Sequence, residues 1–230
     1  MDLDTIANTL THGITDIWLT IPEGWRKEEI ATKIAKELNI PESEFLKVAR
    51  EGYMFPDTYL IPQESTAAAV AEMLLNNFNK KVAGEKERIK QDGLTLADII
   101  IIASLVEREA KLASDRPLVA SVILNRVEIG MKLDIDATIQ YALGYQGKEK
   151  TWWKKELTSN DLAFESPYNT YQNPGLPPTA IANPGLAAIK AVVEAPKTDY
   201  LYYISDKTGK LHFAENIEEH NNNIARYLNK

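Results

Sequence analysis

Glutamate 107 stands where a charged side chain has least reason to be. Leu96, Ile99, Ile100 and Ala103 recur at helical spacing and define one apolar face, and the next step along it from Ile100 and Ala103 is Glu107. Ile101, Ile102, Leu105 and Val106 make this helix apolar nearly all round, as befits a helix at the centre of a domain. Burial penalises the charged form of a carboxyl group, so the pKa of Glu107 is expected to rise toward values at which it donates a proton near neutrality. Two readings stand: a poised proton donor, or a buried carboxylate paired with Arg126 or Arg116. Glu109 falls on another side of the helix, with Asp98, Ile102 and Leu105, and is expected in a structural ion pair.

The next helix repeats the anomaly. Leu118, Val122 and Asn125 share a face, which puts Asn125 on an apolar stripe, either to meet a substrate amide or to satisfy backbone groups between helices. Asp134, Asp136 and Thr138 precede a helix through Ile139 and Tyr141 and are read first as its caps. Tyr168, Asn169, Thr170 and Tyr171 open a long irregular stretch that continues through Gly175 to Pro178 and Asn183 to Gly185. Ordering so long a loop costs entropy, which marks it as a candidate groove wall. Trp152 and Trp153 lie in a lysine-rich stretch read as a surface loop, with nothing in the sequence tying them to a pocket.

Other chemistries find little support. His12, His212 and His220 include no pair at one-turn spacing and there is no cysteine, so no metal site is expected. No phosphate-binding glycine pattern and no serine elbow is present, and no cofactor is implied. A lone carboxylic acid in an aromatic groove suits carbohydrate chemistry. Glycosidases ordinarily use two carboxylates, and Asp134, Asp136 and Glu109 are weak candidates for the second. One acid suffices if the sugar supplies its own nucleophile, as when the C6 hydroxyl of N-acetylmuramic acid closes on C1.

The elements that must position these residues follow from periodicity and turn chemistry. Thr95 and Asp98 cap the central helix, Ser114 is read as the cap of the next, and Gly130 ends it. Before them, Trp18 to Ile21 reads as a strand ending at the turn Pro22, Glu23, Gly24; Ile30, Ile34 and Leu38 mark a helix closed by Pro41. Trp25, beside that turn, reads as packing. Glu51 to Pro62 is an ordered aromatic loop with a strand at Tyr59 to Ile61, read mainly as a hydrophobic plug between two units. Ser65 is read as capping a helix whose stripe is Val70, Met73, Leu74 and Phe78, and Lys80 to Asp92 as a charged linker. Leu186, Ile189 and Val193 mark a helix, Tyr200 to Ile204 and Leu211 to Phe213 a hairpin, and Ile224 to Leu228 a closing helix. The fold class is therefore α+β, mostly helical.

A chain of 230 residues with 44% hydrophobic content can bury a substantial core. Its net charge of −7 carries no basic footprint, so no nucleic-acid partner is expected. No apolar run is long enough to span a bilayer, and Asp2 and Asp4 stand where a signal peptide would be basic.

The run Ala103, Ser104, Leu105, Val106, Glu107, Arg108, Glu109 resembles the catalytic motif of the bacterial endolytic murein transglycosylases of the MltG, or YceG-like, family. The resemblance covers nearly the whole chain, through Glu51 to Tyr59, Asn125 and Arg126 with Gly130 and Met131, Tyr168 to Tyr171, Gly175 to Pro178, Asn183 to Gly185, and His212, Asn216 and His220. It implies peptidoglycan glycan strands as substrate, internal cleavage leaving 1,6-anhydro-N-acetylmuramic ends, and work beside peptidoglycan synthases; the alternatives are a hydrolase of lysozyme type and a non-catalytic peptidoglycan-binding scaffold. It implies Glu107 as acid and then base, with Asn125, Thr138, Tyr168, Asn169, Thr170 and Tyr171 as groove residues. Residues 1–47 are expected to form a partial LysM-like module and 48–230 the catalytic domain. The family implies a membrane-anchored enzyme at the extracytoplasmic face, its N-terminal helix missing from this chain. Ala137 stands where the family tends to have proline, which is read as a local turn adjustment.

Overall fold

The computed structural model describes residues 16–85 and 93–228; His12 and the second half of the expected linker, 86–92, lie outside them. Strand β1 (Asp16–Thr20) leads into helices α1 (Lys27–Leu38) and α2 (Glu42–Val48). Strand β2 (Thr58–Pro62) then pairs antiparallel with β1, in a register running from Asp16 opposite Pro62 to Thr20 opposite Thr58. Helix α3 (Ala67–Val82) follows, ending in a 3-10 turn at Ala83–Glu85. Next come α4 (Leu96–Glu109), α5 (Arg116–Glu128), α6 (Asp136–Leu143) and the one-turn α7 (Ser159–Leu162). Helix α8 (Leu186–Val193), the hairpin β3 (Tyr202–Ser205) and β4 (Leu211–Ala214), and α9 (Ile217–Tyr227) complete the chain. This is the α+β class expected. Among the described residues, no helix is long and apolar enough to cross a membrane.

Two apolar clusters organise these elements. The first is built by Leu19, Ile30, Ile34, Phe45, Ile61, Val70 and Leu74, so it joins the β1–β2 sheet to α1, α2 and α3. It includes Met54, Tyr59 and Ile61, and thus extends past residue 47, where the expected boundary lay. The second surrounds α4, with Val119, Ala120 and Ile123 of α5, Ala137 of α6, and Ala188, Ile189 and Val192 of α8. Tyr53 and Leu75 pack against both clusters, which makes the aromatic loop the plug it was read to be.

The local signals hold where nothing distant competes. Thr95 accepts the Asp98 N–H and Asp98 returns a bond to the Thr95 N–H, the capping box that starts α4. Elsewhere the starts shift by a residue. The α3 cap is Thr66 rather than Ser65, and α5 begins after Asp115 rather than Ser114. Asp115 makes no cap bond because its carboxylate accepts the Leu211 N–H across the fold at 3.0 Å. Helix α2 was not read from the sequence. Pro41, taken only as a terminator, is its N-cap, and Phe45 is its single buried residue, too little for a periodic signal. At α6 the expected caps are not used: Ile135 is the N-cap, and its apolar side chain offers no cap bond.

Candidate active site

The α4 helix carries Glu107 into the second core, and three segments close around it. The turn at Glu23 and Gly24 lies above it, with Gly24 at φ +76° and close against the Glu107 side chain. The start of α8 supplies the Gly185 N–H, which donates to Glu107 Oε2 at 3.0 Å. Helix α5 supplies Arg116, whose Nη2 donates to Glu107 Oε1 at 2.7 Å. Of the two arginines considered, Arg116 is the partner. Arg126 instead donates to the carbonyls of Leu201, Lys132 and Leu133.

Exposure grades outward across this cluster. The side chain of Glu107 is 5% exposed, that of Arg116 14% and that of Glu23 49%. Glu23 Oε2 lies 3.9 Å from the same Arg116 nitrogen that binds Glu107. Burial pushes the Glu107 pKa above the ordinary carboxylate value, and the negative charge of Glu23 adds to the rise. The Gly185 N–H, Arg116 and Arg108 act against it. The result is a carboxyl group that holds a proton readily and has donors in place for its ionised form. That combination suits a group that gives up a proton and later takes one back.

Asn183 fixes the site's geometry. Fully buried, it accepts the Gly24 N–H on its carbonyl at 2.9 Å, and its own N–H and side-chain amide both donate to the Trp25 carbonyl. Its side chain also accepts the Met54 N–H at 2.9 Å and donates to Glu51 Oε1 at 2.8 Å. Glu51 in turn accepts the Lys27 N–H at the start of α1 and the Tyr141 hydroxyl. Burial pushes the Glu51 carboxyl up to about 7.

A cleft of about 390 Å³ opens beside this network, lined by Glu51, Arg50, Tyr53, Tyr141, Tyr168 and Thr179 among others. Tyr168 is thus at a cleft, its ring 4.9 Å from that of Tyr141. A second cleft of similar volume lies on the Glu109 side of α4, where Tyr171, Tyr202, Tyr203, Asp134, Asp136 and His220 meet. Tyr171 reaches it with its hydroxyl on Asp136 Oδ1 at 2.6 Å. Glu107 lines neither cleft.

The remaining groove candidates are spent on the fold. Asn125 donates its side-chain amide to backbone, to the Thr198 and Tyr200 carbonyls, which lie in the segment between α8 and β3 and not between helices as the second reading had it. Thr138 and Thr170 are buried and bonded to each other at 3.0 Å, with Ile135 held between them. Asn169, also fully buried, donates to the Leu162 and Phe164 carbonyls. These three hold the irregular segment in shape while the flanking tyrosines face the clefts. Glu109, expected in an ion pair, accepts the Tyr203 hydroxyl at 3.0 Å, and burial pushes its carboxyl up to about 7.

The family model described as YceG-like matches residues 1–226. The chain belongs to the YceG-like family. A Bacillus subtilis protein named endolytic murein transglycosylase is 32% identical, over 99% of this chain and 70% of its own length. A Streptococcus pneumoniae protein of the same name is 37% identical over 78% of this chain, but this chain spans only 32% of it. A crystal structure of a yceG-like protein from Listeria monocytogenes superposes with a TM-score of 0.82 at 29% identity, covering 96% of this chain and 81% of that one.

Sequence reasoning missed part of what surrounds Glu107 in this YceG-like chain. Glu23 was read as a turn residue, and Gly24 and Gly185 as turn formers; none has a local signal that aims it at α4. The tryptophans of the loop after α6 are pinned to the site, contrary to the reading of a free surface loop. Arg108 lies over the Trp153 ring at 3.7 Å, and Trp153 Nε1 donates to Glu29 at 3.0 Å. Arg26 lies against both Tyr141 and Trp152, at 4.2 and 4.5 Å. The adjacent pair Trp152 and Trp153, in a chain that carries arginines able to lie over their rings, was the available clue.

Proposed function

We propose that this chain is a peptidoglycan lytic transglycosylase that cleaves the bond between N-acetylmuramic acid and N-acetylglucosamine within glycan strands, with Glu107 as its acid and base. The observation that carries the reading is Glu107 itself. It is a carboxyl group buried on an apolar helix, its pKa raised by that burial, and already met by Arg116 and the Gly185 N–H for its ionised state. It stands in a family whose curated relatives carry the name endolytic murein transglycosylase.

In the proposed reaction Glu107 donates its proton to the glycosidic oxygen as the bond from C1 to that oxygen breaks. The muramyl C6 hydroxyl attacks C1, and its proton passes to Glu107, which restores the acid. No water is consumed, so the product is a 1,6-anhydro end. For this exchange Glu107 must trade one partner for the sugar oxygen, and Arg116, on the solvent side and shared with Glu23, is the partner placed to give way. Tyr168 and Tyr171 are proposed as surfaces for sugar rings or their substituents, with Thr138, Asn169 and Thr170 shaping the wall behind them and Asn125 bracing α5. The first unit is proposed as a LysM-like wall-binding part, and the enzyme as one that works in the cell envelope, anchored in the membrane and beside the strand-polymerising synthases.

Hydrolysis of lysozyme type is a second reading, favoured by one observation: Glu23 supplies a second carboxylate near the first. Mass spectrometry of products from purified glycan strands separates the two, since transglycosylation leaves anhydro ends and hydrolysis leaves reducing ends that take oxygen from labelled water. Anhydro ends are expected from the wild type and a loss of at least about a hundredfold in Glu107→Gln. Undiminished anhydro product from that variant would remove Glu107 from the mechanism.

A further inference from the structure

We infer that Glu23 is a positioning residue for the reaction, dividing the Arg116 guanidinium with Glu107 and so loosening the hold of Arg116 on the Glu107 carboxyl until substrate arrives. This rests on the proposed role of Glu107 and adds a second residue, from the first unit of the chain, to its site.

Three observations place Glu23 there. Its backbone is fixed to the same loop that holds Glu107: the Gly24 N–H donates to Asn183, the Asn183 N–H donates to Trp25, and two residues on the Gly185 N–H donates to Glu107. Its carboxylate occupies the space a side chain at position 185 would need, since a Cβ built on Gly185 would collide with Glu23 Oε1 and its carboxyl carbon. Finally, its Oε2 and Glu107 Oε1 approach one guanidinium nitrogen, at 3.9 and 2.7 Å. Arg116 Nε is buried without a hydrogen-bond partner, so the guanidinium is not saturated by Glu107 in the resting arrangement.

The charges that face Glu107 are Arg116 from α5, Glu23 from the turn and Arg108 from its own helix. Arg108 is itself faced by Glu29 and Glu109 and held over Trp153. Four acids, Glu107, Glu23, Glu29 and Glu109, thus face two arginines, and a proton on Glu107 reduces that excess. Glu23 is half in solvent, whereas Glu107 is almost wholly removed from water. When Glu107 releases its proton, Arg116 can close fully on the new carboxylate. The exposed side of this pair is also where a strand must approach.

The test compares wild type, Glu23→Gln, Glu23→Asp and Glu107→Gln on purified glycan strands, with kcat/KM measured from about pH 5 to about pH 8.5. Removing the Glu23 charge strengthens the hold of Arg116 on ionised Glu107, so the alkaline limb of the profile is expected to move down by about one pH unit. That is an approximately tenfold loss above the limb and near wild-type rates at the acid end. Glu23→Asp, which restores the charge, is expected to return the limb toward its wild-type position. A carbon-13 titration of the Glu107 carboxyl in Glu23→Gln reads the same shift without turnover. An unmoved limb and an unmoved titration, with Glu107→Gln inactive, overturn the role of Glu23 alone. An active Glu107→Gln overturns the reading beneath it.

Discussion

At the scale of the residue, Glu107 unites two readings that the sequence set against each other. It is ion-paired to an arginine, and burial still biases it toward its protonated form, because Arg116 is divided with Glu23 and the carboxyl is almost wholly removed from water. Arg116 therefore acts in the opposite direction to Glu23. In Arg116→Met the pKa of Glu107 rises further, and the alkaline limb of strand cleavage is expected to move up in pH. The stability cost follows the same sign. A folded-state pKa raised above the unfolded value gives stability that is present at low pH and lost as pH rises. Urea unfolding of this variant is expected to show a loss of about 3 kcal/mol at alkaline pH, where an unpaired buried carboxylate must be tolerated, and much less near pH 5.

Elements are joined by a few buried polar groups rather than by apolar contact alone. Asn183 ties the turn after β1, the aromatic loop and the start of α8 into one unit through bonds to Trp25, Met54 and Glu51. Asn183→Leu keeps the branched shape but leaves the Met54 N–H and part of the Glu51 carboxyl without partners. Unsatisfied buried groups cost about 1–3 kcal/mol each, so a destabilisation of about 3 kcal/mol is expected in urea unfolding. Strand cleavage is expected to fall as well, as the Glu23 turn loosens. Gly52 illustrates the same closeness between elements: at φ +87°, a Cβ there would lie 2.7 Å from both Ile100 on α4 and Ala180. The aromatic loop crosses the central helix at a distance only glycine permits.

For the whole molecule the buried acids set a dependence of stability on pH. Glu51 and Glu109 have carboxyls pushed up to about 7 by burial, against an unfolded value of 4.5. Between those values the folded protein binds more protons than the unfolded chain, so stability falls as pH rises. The contribution is complete below about pH 4.5 and lost above about pH 7, with each group responsible for on the order of 3 kcal/mol at most. Thermal unfolding is expected to show Tm declining from about pH 5 to about pH 8. Glu109→Gln, which keeps an acceptor for the Tyr203 hydroxyl, is expected to flatten roughly half of that slope; an unchanged slope would show that Glu109 is not its source.

What the sequence determined was local or periodic. The capping box at Thr95, the apolar stripe that ends at Glu107, the hairpin near the C-terminus and the interfacial character of the aromatic loop all follow from spacings within a few turns of chain. Tertiary structure decided which partners the polar groups found: Arg116 rather than Arg126 for Glu107, the Tyr203 hydroxyl for Glu109, backbone carbonyls for Asn125, and Glu23 arriving over α4 from the first unit. A hydrogen bond or a shared guanidinium fixes geometry between segments that packing brings together, and it leaves no periodic trace in either segment. The position of the acid was therefore written along one helix, while the charges that tune it were settled only by the closing of the fold around that helix.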